Sequence, residues 1–201
     1  LPIFNLATLL AMIIDFKSHY TCKHSSGVAV NCKRMAEFYQ YPPEKITKYY
    51  LAGALHDVGK LMIPNSILQK PERLNDAEYE IMKQHAYYTY DTLQHINNKN
   101  MNDIMIWASH HHEKLNGTGY PFGLNGDQLS QEERLMTCCD IYQALTEERA
   151  YKEGFPHEKA ITIMRDMAMR GEIDLNIVQN MDMVLSDRSW DRSIPTSILT
   201  T

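Results

Sequence analysis

His56-Asp57 ends an apolar run, Leu51, Ala54 and Leu55, that reads as the core face of a helix. Neighbouring helix residues diverge by about 100°, so both side chains reach one pocket from the same turn. A buried imidazole beside a carboxylate is costly without a partner, and a metal ion satisfies both. His110-His111-His112 forms a second cluster, and His24 and His85 stand apart. Asp140 interrupts the otherwise apolar stretch of Leu135, Met136, Cys138, Cys139 and Ile141. Imidazoles and carboxylates without thiolates suit Fe, Mn, Zn or Ni better than Mg or Ca. Lys60, one turn beyond the His-Asp pair, would bring a cation within reach of a phosphate. Lone histidines such as His19, His95 and His157 read instead as surface or capping residues.

The elements that must position these groups are helical. Leu6, Leu9, Leu10, Ile13 and Ile14 recur at spacings of three and four, the stripe of an amphipathic helix. A helix over 26–39 carries Val28, Cys32, Met35 and Ala36 and stops at Pro42-Pro43. The pattern repeats over 44–57 until Gly59. Asn75-Asp76-Ala77-Glu78 is a capping signal, with Tyr79, Met82 and His85 on the face that follows. Further helices are predicted over 103–112, 131–145 and 157–169. A glycine-rich loop, Asn116 to Pro121, separates the first two of these. Period-2 alternation is nearly absent, so the expectation is an all-α fold, with 186–201 a polar tail.

Composition narrows the function classes. The 201 residues carry 20 Lys and Arg against 25 Asp and Glu, a formal charge of −5 without any basic block. That balance argues against a duplex nucleic-acid partner, which needs clustered cations. The four cysteines, at 22, 32, 138 and 139, form no CxxC pair and read as reduced, buried residues of a cytoplasmic protein. The longest apolar stretch, over 6–16, falls short of the roughly 20 residues of a membrane span. No basic segment precedes it, so it is not a secretory signal. The chain opens at Leu1 and reads as part of a longer protein.

Two segments go further. His56-Asp57-Val58-Gly59-Lys60 and His111-His112-Glu113-Lys114-Leu115-Asn116-Gly117-Thr118-Gly119-Tyr120-Pro121 resemble the two defining motifs of the HD-GYP phosphodiesterases. These enzymes hydrolyse the bacterial second messenger cyclic di-GMP and belong to the HD phosphohydrolase superfamily. The resemblance extends through 63–68, Met82-Lys83-Gln84-His85 and 140–146, and covers about 21–181. It implies an HD-domain-like helical bundle with a Gly-rich GYP loop. The catalytic domain would span 21–185, with 1–20 a helix leading in from an upstream sensor or regulatory domain. One metal would be held by His24, His56, Asp57 and Asp140. A second would be held by Asp57, His85, His111 and His112, with Asp57 bridging and Fe or Mn as the ions. Lys60, Arg149 and Lys152 would contact the substrate phosphate, and Gly119, Tyr120 and Pro121 would shape the pocket. Two such ions lower the pKa of a shared water, which attacks phosphorus and gives linear pGpG, with GMP after further hydrolysis. Glycines at 117 and 119 would let the loop backbone lie close to the ligand.

The chain also departs from the family pattern. A glutamate that binds a third metal in some members is Tyr20 here, which implies two metals. Asn116 stands for a usual aspartate, Gly27 for a common arginine and Gln143 for a usual aspartate. Three activities therefore remain open: cleavage of cyclic di-GMP, cleavage of another cyclic dinucleotide such as cyclic GMP-AMP, or binding and signalling with weak catalysis. The stripe of the first helix reads as core, with a homodimer contact or the stub of a signalling helix from an upstream sensor domain as the alternatives.

Overall fold

The computed structural model describes residues 2–17, 23–96, 101–148 and 153–186. Among them the structure is helical, with one isolated β-bridge, Asn116 to Asn125. The helices are α1 (Pro2–Lys17), α2 (His24–Phe38), α3 (Pro43–Leu55), α4 (Asn65–Leu68) and α5 (Asp76–Gln94). They continue as α6 (Met101–Ser109), α7 (Gln131–Thr146), α8 (His157–Met169) and α9 (Leu175–Leu185). A 3-10 turn, Val58–Met62, follows α3. No described helix is long and apolar enough to cross a membrane.

Local chemistry sets the helix ends. Pro43 starts α3, where its missing N–H costs nothing. Asn75 and Glu78 close a reciprocal capping box on α5, and Ser130 and Glu133 do so on α7. The Asp174 carboxylate accepts from the N–H groups of Asn176 and Ile177 and so opens α9. Helices α4 and α9 add to those read from the sequence. Between 174 and 185 the stripe of Ile177, Val178, Met181 and Leu185 buries against the bundle.

Beside a smaller cluster of Ile63, Ile67 and Leu68, a main core holds the bundle together. Val28, Cys32 and Met35 of α2, Tyr49 and Leu51 of α3, and Leu135, Met136 and Cys139 of α7 are buried in it. Cys32, Cys138 and Cys139 are free buried thiols, as small apolar residues would be. Helix α1 divides its apolar stripe. Ala7, Ala11 and Ile14 enter the core, while Leu9, Ile13 and Phe16 face solvent. The helix predicted over 103–112 ends at Ser109, so His110, His111 and His112 lie in the turn that follows. His157 is not a surface residue. It is buried, bonded by Nδ1 to the Tyr142 hydroxyl at 2.8 Å and by Nε2 to Asp182 at 3.0 Å.

Candidate metal centre

Three imidazoles are oriented by one local device. His56 Nδ1 donates to the Gly53 carbonyl at 2.8 Å, His85 Nδ1 to Met82 at 2.7 Å, and His111 Nδ1 to Ala108 at 2.6 Å. Each acceptor lies three residues back. A carbonyl only accepts, so Nδ1 carries the hydrogen and Nε2 turns its lone pair into the pocket. Such outer bonds fix ring orientation and raise ligand basicity.

The lone pairs converge. His24, His56 and Asp57 bring one ligand atom each within 4.8 Å of one another, and so do His85, His111 and His112. The Nε2 atoms of His85 and His111 face each other at 3.3 Å. With both Nδ1 atoms committed to carbonyls, two lone pairs meet there, an arrangement that needs an electrophile between or beside them. Asp57 joins the two groups. Its Oδ2 lies 3.2 Å from His56 Nε2 and 2.5 Å from Lys60 Nζ, and its Oδ1 lies 3.4 Å from His85 Nε2. Asp140 also spans them. Its Oδ1 is 3.2 Å from His24 Nε2 and 3.6 Å from His56 Nε2, and its Oδ2 is 3.9 Å from His112 Nδ1. The donor set of five imidazoles and two carboxylates fits a pair of divalent transition metals.

Electrostatics divide the pocket. Burial pushes His85 down to about 4 and His112 to about 3, helped by the Lys60 charge and by the neighbouring rings. Burial and the adjacent His112 hold His111 well below the usual range as well. Without an ion these three rings are neutral and their lone pairs are available. On the other side burial opposes charge, but the carboxylates win. Hydrogen bonds to Asp140 and Glu147 push His24 up to about 10, and Asp57 raises His56. Burial also opposes ionisation of Asp57, yet the charges of His56 and Lys60 keep its carboxyl well below the ordinary value.

Several parts of the site escaped the sequence reading. Glu147, just past α7, is buried and takes His24 Nδ1 at 2.8 Å. It stands seven residues after Asp140, two helical turns on and therefore on the same face, and that spacing was the available signal. His110 does not join the pocket. Its Nδ1 pairs with Glu133 of the α7 capping box. The buried Glu113 carboxylate accepts from the backbone N–H groups of Phe122, Gly123 and Leu124, and so folds the glycine-rich loop back on itself. Gly119 serves that fold, because a Cβ there would stand 2.4 Å from Lys114 N and 2.5 Å from Glu113 Cα. The close approach at Gly119 is to its own chain. Tyr120 reaches the pocket, with its ring 4.6 Å from that of His112.

Two departures from the family pattern form one packing unit. A Cβ on Gly27 would stand 2.4 Å from the Gln143 amide, whose oxygen accepts from Asn31 Nδ2 at 3.1 Å. Gly27 lies three residues after His24 and Gln143 three after Asp140, so the unit sits one helical turn from both ligand positions. Tyr20, Arg149 and Lys152 lie outside the described residues, as does the segment from 187 onward.

Residues 8–177 match the family model described as HD domain. The chain belongs to the HD domain family. Among its relatives, this HD domain is 35% identical over 175 residues to 3'3'-cGAMP-specific phosphodiesterase 1 of Vibrio cholerae serotype O1, covering 87% of this chain and 40% of that protein. It is 40% identical over 163 residues to 3'3'-cGAMP-specific phosphodiesterase 3 of the same organism, covering 80% and 35%. It is 34% identical over 160 residues to cyclic di-GMP phosphodiesterase PA4108 of Pseudomonas aeruginosa, covering 79% and 38%. The HD domain thus spans at most 40% of the length of these three relatives, which are longer proteins. In fold it is similar to Bd1817, an HDG"Y"P protein from Bdellovibrio bacteriovorus, with a TM-score of 0.64 at 20% identity, covering 82% of this chain and 52% of that one. The all-helical architecture implied by the HD-GYP motifs is therefore the architecture observed.

Proposed function

We propose that this HD domain is the catalytic unit of a cyclic di-GMP phosphodiesterase, releasing linear pGpG and, after a second cut, GMP. The observation that carries the reading is Asp57, whose two carboxylate oxygens face two separate sets of imidazoles. His24, His56, Asp57 and Asp140 would hold one ion, and Asp57, His85, His111 and His112 the other, with Fe or Mn as the metals. When bound, the ions supply a water of lowered pKa and offset the negative charge of the phosphodiester.

The side chains do the rest. The carbonyl anchors hold His56, His85 and His111 in one orientation. Lys60, ion-paired to Asp57, keeps that carboxylate ionised and adds positive charge where negative charge builds on phosphate oxygens. Tyr120 packs against His112, and with Gly119 and Pro121 it would shape one wall of the pocket. Arg149 and Lys152 would add phosphate contacts just beyond Glu147. In this reading residues 21–185 are the catalytic unit, and an upstream regulatory domain acts through 1–20.

The likeness to proteins named for 3'3'-cGAMP supports a second substrate, the mixed dinucleotide. Incubation of Mn- or Fe-loaded protein with cyclic di-GMP and 3'3'-cGAMP, followed by chromatography of the products, separates the readings. Hydrolysis of cyclic di-GMP to pGpG is expected. A clear preference for 3'3'-cGAMP would exchange the substrates, and binding without turnover of either would leave a signalling module in place of an enzyme.

A further inference from the structure

The rim of the pocket carries groups that metal ligation does not use. Tyr79 and Lys83 share one face of α5, four residues apart, and that face meets the glycine-rich loop. Lys83 Nζ lies 5.6 Å from the centre of the Tyr79 ring and 5.8 Å from that of Tyr120, within range of cation–π attraction to both. Tyr120 in turn packs against His112 at 4.6 Å and His85 at 6.3 Å. A continuous path therefore leads from the imidazoles, over Tyr120, to Lys83 and Tyr79. Tyr79 is 49% exposed, so part of the residue is open to solvent beside Lys83. Lys83 pairs with Glu80 at 2.7 Å, but the Glu80 side chain is 66% exposed, so the pair exchanges readily with water or another anion.

This geometry has a chemical meaning once the reading above is accepted. A cyclic dinucleotide cut at one phosphate carries a second phosphate and two purines that must lie outside the metal pocket. Its floor is closed by buried histidines, and Tyr120 forms one wall. The rim offers an aromatic face, which suits a purine, and an ammonium, which suits a phosphate. We propose that Tyr79 and Lys83, together with Tyr120, form the subsite for the uncleaved half of the substrate, with a purine over Tyr79 and the second phosphate on Lys83.

The test compares two substrates that share the reacting group. Bis(p-nitrophenyl) phosphate presents one phosphodiester with neither a second phosphate nor a purine. For Lys83→Met, KM for cyclic di-GMP should rise about tenfold with kcat within about threefold, the loss of one charge-assisted contact. The efficiency ratio of cyclic di-GMP over bis(p-nitrophenyl) phosphate should fall about tenfold, with metal content per chain unchanged. Tyr79→Leu should lower the same ratio, and Lys83→Arg should restore most of it. An unchanged ratio in both Lys83→Met and Tyr79→Leu would overturn the subsite while leaving the phosphodiesterase reading intact. If the unaltered protein cleaves bis(p-nitrophenyl) phosphate but no cyclic dinucleotide, the substrate reading and the subsite fall together.

Discussion

Gly59 sits where α5 crosses the turn that follows His56 and Asp57. A Cβ at this position would stand 2.0 Å from the His85 carbonyl oxygen and 2.5 Å from Thr89 N, whereas ordinary contact begins at 3.4 Å. Both obstacles are backbone atoms of α5 and cannot rotate aside. In Gly59→Ala the helix must therefore retreat by about 1.4 Å, or the turn must move by the same amount. Thr89 now clamps the two, accepting from Gly59 N at 3.1 Å and donating to the His56 carbonyl at 2.8 Å. His85 rides on the displaced segment, so its separations of 3.4 Å from Asp57 and 3.3 Å from His111 would open. Metal–ligand distances tolerate only ~0.2 Å, so a shift of this size removes a ligand. If the chain holds two metals as proposed, the variant should lose one of them, together with about 1–3 kcal/mol of stability, as overpacked sites do. That corresponds to a fall in Tm of roughly 2–12 °C for a chain of this length. Elemental analysis and calorimetry on the same preparation measure both. Gly126→Ala is the control, because its Cβ would meet nothing nearer than 3.6 Å. Two metals and an unchanged Tm in Gly59→Ala would refute the argument from close approach.

Three further variants probe the remaining parts of the site. His56→Ala should release metal and abolish turnover while far-UV circular dichroism stays helical, and a fully loaded, active variant would remove His56 from the ligand set. Glu147→Ala should weaken metal binding about 10–100-fold through His24, with Glu147→Gln recovering part of the loss, as titration with a competing chelator would report. Gly27→Arg and Gln143→Asp should each destabilise alone. Together they should restore stability, with a coupling of about 0.5–3 kcal/mol in denaturant unfolding, whereas additive effects would show that the two positions are independent.

The site was legible in the sequence to the extent that its chemistry lies in contiguous runs. His56-Asp57 and His111-His112 occupy turns directly after helices, so short motifs carried their roles, and the apolar neighbours of Asp140 marked it as buried. Residues whose meaning depends on a distant partner were not legible. Glu147 is an ordinary acid at a helix end until α2 brings His24 to it from 123 positions away. His157 read as a surface residue because Tyr142 and Asp182 reach it only once α7, α8 and α9 pack. Helix α9 carried a regular stripe and an Asp174 cap, but it borders a polar tail that masks the period. Gly27 and Gln143 read as two separate departures, and only the crossing of α2 over α7 makes them one.

The rings of His56, His85 and His111 surrender their rotamer freedom to the backbone when the helices form, before any ion arrives. An ion would therefore meet a preorganised pocket and leave one behind on departing. Loading and loss become exchange reactions rather than folding reactions. In the proposed two-metal reading, iron and manganese would compete for the same lone pairs, so the ion that occupies them would follow availability.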